Sequence, residues 1–396
     1  MRRVKRILIV CAAIAFSYIA LASANLPLPL PSPLSADQDR QSPYNPTSSG
    51  QADPLGSYTY TEVDEPEPEE PGEPLLLYRT IENLRLREEP STEAEVIETI
   101  LQGTLVQVTD QWNEDWYFVY VDGMYGYMST EFLAFVALRP PGSPMYMAGS
   151  VTVMDAQTGA VLFESEQHTT RYPASVTKIM TALLVLEHVD DLSELITFSE
   201  TAVAIPWYAS RMGMQAGDTM TVYDALYALM LVSANEVAWA LAEHVSDSFD
   251  EFVDQMNLRA ASLGAVNTRF ANPCGLPGEG QYTTSYDMAL IMRAAMQNPV
   301  FNRIIATPSA DLPPTESHDT PRSMRNTNRL IHPDGPEFNN RVIGGKTGFT
   351  NAAQHTLVTY AELDGRAVIV SVLYVPHRGA IFSDTSALLE HVHSNS

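Results

Sequence analysis

Residues 174–182 read Ala-Ser-Val-Thr-Lys-Ile-Met-Thr-Ala, and the spacing inside that stretch decides how the rest of the chain is read. Ser175 and Lys178 are three apart, so on a helix they share a face and the amine reaches the hydroxyl. A serine hydroxyl is a poor nucleophile until a base takes its proton. A lysine amine can be that base only when burial or a second cation lowers its pKa. Two further clusters stand downstream, Ser233-Ala234-Asn235 and Lys346-Thr347-Gly348, and the second supplies another cation, Lys346. Each cluster alone arises by chance in many chains of this length; their order and separation carry the signal.

The trio resembles the signature of penicillin-binding proteins and class A β-lactamases. The flanks narrow the resemblance. Residues 174–182 are similar to the nucleophile helix of the D-alanyl-D-alanine carboxypeptidases, the low-molecular-mass penicillin-binding proteins. Phe270-Ala271-Asn272-Pro273-Cys274-Gly275-Leu276-Pro277, then Tyr282-Thr283-Thr284 and Asp287-Met288-Ala289, are similar to the segment that family carries between its second and third clusters. The resemblance runs from about Pro144 to the C-terminus.

What it implies can be stated residue by residue. Lys178 would remove the Ser175 proton, and Ser233 would relay a proton to the leaving amine. Lys346 would keep Lys178 partly deprotonated by repulsion and orient Ser233. Asn235 would hydrogen-bond the substrate amide and bridge to Lys178, and Thr347 would bind the substrate's terminal carboxylate. The backbone N–H groups of Ser175 and Phe349 would form the oxyanion hole, with Gly348 letting the substrate approach the strand edge. Pro173 would put Ser175 at a helix N-terminus. The substrate would be a D-Ala-D-Ala terminus of a peptidoglycan stem peptide, with β-lactams acylating the same serine. No cofactor is implied, and the nine histidines include no His-Glu-x-x-His for a metal.

Two places depart from the family pattern. Ala352-Ala353-Gln354-His355 stands where the family usually shows Ala-Gly-x-Cys. The arginine that helps hold the carboxylate has only Arg378 as its counterpart, separated from Phe382 by three residues. Among rivals, a class A β-lactamase needs a Glu-x-x-Leu-Asn loop to position deacylating water, and none lies between Asn235 and Lys346. A D,D-endopeptidase acting on cross-links shares all three clusters. A wall-binding protein with a silent catalytic half is opposed by intact Ser175, Lys178, Ser233 and Lys346.

Composition and the N-terminus supply the setting. Arg2, Arg3, Lys5 and Arg6 precede an apolar run ending Ala22-Ser23-Ala24, so residues 1–24 read as a signal peptide or an uncleaved N-terminal anchor. Either places the clusters outside the cytoplasm, secreted or membrane-tethered at the cell wall. Val10 before Cys11 argues against lipidation. Without that segment Cys274 is the only cysteine, so stability must come from the core, and Cys274 reads as buried filler. Net charge is −25, and about −29 once the four positive charges of the first 24 residues are removed. That excludes a nucleic-acid partner.

Prolines recur at 27, 29, 31 and 33 and alternate with Asp and Glu from Glu62 to Glu73, so residues 25–74 read as a disordered linker. Residues 75–138 read as a small all-β unit, with strands at Leu84–Arg87, Thr104–Val108 and Trp116–Tyr120, and resemble bacterial SH3-like domains. Trp112, Trp116 and Tyr125 line a groove there or belong to its core, and the unit contacts the cell wall or is a passive spacer. Residues 139–146 form a second linker and 147–396 the catalytic domain. In the latter we expect a hairpin over 150–163, helices over 176–188 and within 222–245, a strand at 366–373 and a closing helix over 386–392. The expected fold class is α/β, a penicillin-binding-protein/β-lactamase-like antiparallel sheet sandwiched by helices. A helical subdomain would adjoin it, with the site between the sheet edge and the helices.

Overall fold

Alternating apolar residues in the first described segment close a barrel. The computed structural model describes residues 75–139 and 142–395; the expected signal and acidic linker lie outside them. The barrel strands are β1 (Leu75–Thr80), β2 (Leu84–Arg87), β3 (Val96–Ile100), β4 (Leu105–Asp110), β5 (Trp116–Val121), β6 (Met124–Ser129) and β7 (Leu133–Arg139). They pair antiparallel in the order β3-β2-β6-β5-β4-β1-β7. Every second residue points inward, so Leu84, Leu86, Val106, Val108, Val119, Val121 and Met128 form one small core.

The catalytic half is organised by a sheet whose two faces are both covered. Its strands are β8 (Ser150–Asp155), β9 (Val161–Ser165), β14 (Val342–Thr350), β15 (Gln354–Leu363) and β16 (Arg366–Val375). Their order is β14-β15-β16-β8-β9, all antiparallel, which leaves β14 on an edge. In β16 the alternation is direct. Val368, Val370 and Val372 enter one core while Ile369 and Leu373 enter the other, so the strand reads as a continuous apolar run.

On one face lie the helices α1 (Lys178–His188), α3 (Val222–Leu231), α4 (Asn235–Val245), α5 (Phe249–Ser262), α6 (Ser285–Ala295) and α7 (Pro299–Ile305). Short pieces accompany them: β10 (Leu195–Thr197), α2 (Glu200–Val203), β11 (Thr219–Thr221), β12 (Ser309–Leu312) and β13 (Arg322–Arg325). From Lys178 through Val185 every residue of α1 is buried, so it runs through the centre of the helical layer with no solvent face. Caps set several starts. The side chains of Thr221, Ser248 and Thr284 each accept a backbone N–H of their own first turn. The Tyr282-Thr283-Thr284…Asp287 motif is thus a helix cap; Asp287 also accepts from Asn267 N and Thr268 Oγ1 at 2.8 Å each.

On the other face packs α8 (Ala380–Ser394). It begins six residues before the expected start, because Ala380, Ile381 and Phe382 continue the buried stripe of Leu388, Leu389 and Val392. The expected helix over 176–188 is also modified. Ala174–Thr177 forms a 3-10 turn, with Ala174 at φ 51°, and the α-helix starts at Lys178. Ser175 therefore lies in the turn ahead of the helix, not in its first turn. Strand β15 went unread in the sequence, since Gln354 and His355 disguise its start. No helix among the described residues is long and apolar enough to cross a membrane.

Asp384 on α8 is buried and accepts the backbone N–H groups of Met147 and Ala148 at 2.9 and 2.8 Å, fixing the approach to β8. Burial raises its pKa to about 7, against the pull of those two donors. A folded value above the unfolded 3.8 means that the protonated form is favoured by folding. The stabilisation is complete below about pH 4 and is lost as pH rises through 7. Asp384→Asn keeps an acceptor without the charge. Thermal melts from pH 5 to 8 should show the wild-type Tm falling relative to this variant as pH rises.

Candidate active site

The 3-10 turn brings Ser175 and Lys178 together, because residues three apart eclipse in that geometry. Lys178 Nζ donates to Ser175 Oγ at 3.1 Å, to Asn235 Oδ1 at 2.8 Å and to the Cys274 carbonyl at 2.7 Å. All three donor positions of the ammonium are occupied, so a fully buried amine is held without an unmet hydrogen bond. Burial lowers the Lys178 pKa to about 8, partly opposed by Cys274 and by the Glu236 carboxylate. About a tenth of the amine is then neutral near pH 7.

The Ser-Ala-Asn cluster occupies the turn between α3 and α4. Ser233 is left-handed, at φ 64°, and its buried hydroxyl has no hydrogen-bond partner among the described residues. Asn235 opens α4 and donates Nδ2 to Ser210 O at 2.9 Å, so its oxygen is turned to Lys178. Glu236 is buried beside it and accepts from the backbone N–H groups of Met212 at 2.6 Å and Gly213 at 2.9 Å. That pair of bonds ties the 208–213 loop to α4.

The third cluster lies in β14. Lys346 is fully buried and its Nζ donates to Thr347 O at 2.9 Å. Burial, and then the charge of Lys178, hold its pKa well below the ordinary lysine value. Burial is the largest cause at both amines, and the repulsion between them is mutual, so each disfavours the proton on the other. Lys346 does not hydrogen-bond Ser233. Thr347 Oγ1 lies 2.6 Å from Thr327 Oγ1. Gly348 is demanded by its surroundings, since a Cβ there would stand 2.8 Å from Ser175 N and 2.5 Å from Thr356 Oγ1. Its neighbour Phe349 is half exposed and stacks on His355, with ring centroids 4.4 Å apart.

Ser175, Ser233, Asn235, Thr347, Gly348 and Phe349 all line one cleft of about 770 Å³, while Lys178 and Lys346 lie beneath its surface. Tyr208, Ser210, Thr327, His355 and Arg378 complete the walls. Arg378 thus reaches the cleft despite its separation from Phe382, which is buried on α8. Sequence reasoning missed the Cys274 carbonyl as a partner of Lys178, because a main-chain oxygen leaves no mark in residue type. It also missed the device behind it. Asn272 Oδ1 accepts from Cys274 N at 3.2 Å and Gly275 N at 2.7 Å, while Nδ2 donates to Leu276 O at 2.8 Å. Asn272 lay inside the quoted segment, and an Asn ahead of Pro-Cys-Gly was the available signal for a side-chain-pinned turn. The Cys274 thiol is buried, which raises its pKa and keeps it unreactive.

A serine backed by a buried lysine amine, on a cleft along an antiparallel sheet edge, defines an acyl-transfer enzyme of the penicillin-recognising class. The family model described as D-alanyl-D-alanine carboxypeptidase matches residues 138–376, and that of the bacterial SH3 domain matches residues 82–134. The chain belongs to the D-alanyl-D-alanine carboxypeptidase family, a family of serine peptidases that acts at the cell wall. D-alanyl-D-alanine carboxypeptidase DacF of Bacillus subtilis is 34% identical over 229 residues, 57% of this chain and 57% of that protein's length. D-alanyl-D-alanine carboxypeptidase DacB2 of Mycobacterium tuberculosis is 35% identical over 261 residues, 64% of this chain and 85% of that protein. The solved Streptomyces K15 DD-transpeptidase superposes with a TM-score of 0.60 at 30% identity, covering 64% of this chain and 99% of that one. The penicillin-binding-protein fold with an SH3 domain ahead of it is accordingly the architecture of this chain.

Two outcomes follow from the geometry. The rate of acylation by penicillin should climb with pH and level off above an apparent pKa near 8, as Lys178 loses its proton. Asn272→Ala leaves the Cys274 and Gly275 N–H groups unmatched and should lower stability by about 1–3 kcal/mol. It should slow acylation as well, read by denaturant titration and by stopped-flow trapping.

Proposed function

We propose that this enzyme removes the terminal D-alanine from peptidoglycan stem pentapeptides by acyl transfer through Ser175. The observation that carries the reading is the Lys178 amine, buried yet 3.1 Å from the Ser175 hydroxyl in an open cleft. In the first step Ser175 Oγ attacks the penultimate carbonyl and Lys178 takes its proton. The oxyanion is met by the N–H groups of Ser175 and Phe349. As the C–N bond breaks, Ser233 hands its proton to the departing D-alanine amine and takes in its place the proton that Lys178 holds. Its unpartnered hydroxyl suits a group whose partner arrives with the substrate. Water then cleaves the serine ester and restores Ser175. A β-lactam enters the same sequence and stops at the ester.

The peptide would lie along the β14 edge as an added strand, its backbone paired with the strand and its terminal carboxylate between Thr347 and Arg378. Lys346 contributes by crowding the Lys178 proton. The N-terminal basic and apolar segment directs the chain out of the cytoplasm, and the acidic linker holds the enzyme away from whatever that segment leaves behind. The barrel would touch the cell wall through one aromatic face. There Trp112, Tyr127, Phe118, Tyr125 and Tyr120 follow one another at centroid distances of 4.9–6.0 Å, with Trp112 and Tyr125 more than half exposed.

Fluorescent penicillin followed by denaturing electrophoresis should label the wild-type chain and leave Ser175→Ala dark; a labelled variant would remove Ser175 from the role. Mass spectrometry of muropeptides after digestion should show pentapeptides becoming tetrapeptides with loss of D-alanine. Intact pentapeptides beside vanishing cross-linked dimers would instead assign endopeptidase activity.

A further inference from the structure

The barrel meets the catalytic half beside the cleft, at the four-residue loop 376–379 that joins β16 to α8. The barrel's contribution is the tight turn before β4. Thr80 Oγ1 donates to Leu101 O at 2.6 Å, Gly103 N to Thr80 O at 2.7 Å and Thr104 N to Thr80 Oγ1 at 3.1 Å. Gly103, at φ 87°, lies flat against the imidazole of His377: a Cβ there would come within 2.8 Å of Cδ2 and 2.9 Å of Nε2. Arg79 Nη1 stands 3.5 Å from the same Nε2. Next to this turn, Leu105 packs into the core under α8.

The other side of the loop faces the site. His377 is followed directly by Arg378, which lines the cleft with Thr347, Phe349 and His355. Ala380 N donates to His377 O at 3.2 Å, so the loop turns at once into α8. Arg378 is exposed and makes no hydrogen bond or ion pair among the described residues. Nothing attached to its guanidinium orders it; its placement is inherited from the backbone at 377. An arginine whose backbone is so fixed has fewer positions to lose on gripping a ligand than one on a mobile loop.

We infer that the SH3-like barrel is a positioning element of the active site: by clamping His377 it fixes Arg378 at the carboxylate end of the cleft. Arg79, Gly103 and His377 are then positioning residues, and the barrel contributes to substrate affinity as well as to location. This rests on the proposed reading that the cleft between Thr347 and Arg378 receives a terminal carboxylate.

The test uses the full chain and two peptides, one ending in D-Ala-D-Ala and the same peptide closed as a carboxamide. D-alanine or D-alaninamide release gives kcat and KM for wild type, Arg79→Gln, His377→Ala, Arg378→Ala and the His377→Ala/Arg378→Ala double variant. Arg378→Ala should raise KM for the acid about tenfold with kcat little changed. Arg79→Gln and His377→Ala should raise it about threefold or more in the same way. Arg79→Gln and His377→Ala should leave the carboxamide's constants at wild-type values, Arg378→Ala should change them less than it changes the acid's, and on the acid the double variant should be no worse than Arg378→Ala alone. If Arg378→Ala raises KM while Arg79→Gln and His377→Ala do not, or if the two losses add, the barrel is only a dock and the inference falls. Unchanged KM in Arg378→Ala overturns the carboxylate reading itself, and the inference with it. Arg79→Gln, on a half-buried barrel position, keeps the test valid if His377→Ala does not fold.

Discussion

Taking the Lys178 ammonium out of water is the constraint around which the catalytic half is arranged. A buried charge is tolerable only with its hydrogen bonds met, and the three acceptors come from three separate parts of the chain: the turn at Ser175, the start of α4 at Asn235, and the pinned turn at Cys274. Helix α1 can run through the interior without a solvent face because those contacts converge at its first residue. The same desolvation makes the amine a usable base. Stability and reactivity therefore draw on one arrangement, and disturbing any acceptor affects both.

The second organising feature is the unpaired edge of β14. An exposed edge is ordinarily a hazard, yet here it is narrowed by the 208–213 loop on one side and by Ser175 on the other, close enough to Gly348 that no side chain fits. Buried Glu236 secures that loop to α4 through two backbone N–H groups. The β14 edge, Ser175 and the 208–213 loop thus line one cleft.

Much of this was legible in the sequence, and the exceptions have physical causes. The Ser-x-x-Lys spacing, the 150–163 hairpin, the helices around Ser-Ala-Asn and the continuous apolar run of β16 each follow from short-range periodicity. The 3-10 turn does not: it begins at a left-handed Ala174, and the Pro173 carbonyl just before it accepts from Thr356 Oγ1 at 3.2 Å, a contact across 183 residues of chain that no local pattern reveals. Polar Gln354 and His355 at the start of β15 hid a ten-residue strand, since Gln354 bonds back to the Asn351 carbonyl and His355 lines the cleft rather than a core. Motif reasoning placed the residues of the three clusters but not the acceptors that hold the two amines, of which Lys346 has one where Lys178 has three. Arg378 was doubtful by its distance from Phe382 along the chain, and a short loop brings it round to the cleft. The first 74 residues, where the export and linker readings fall, lie outside the described structure.

One contact carries a consequence for how such a site drifts over generations. The oxygen that steadies the catalytic amine at position 274 belongs to the backbone, so it survives any exchange of side chain that the surrounding cavity can accommodate. Selection cannot lose it by replacing Cys274, only by disturbing the fold of the turn, and the side chain that guards the fold is two positions away at Asn272. The chemistry at one residue is thereby inherited through the identity of another.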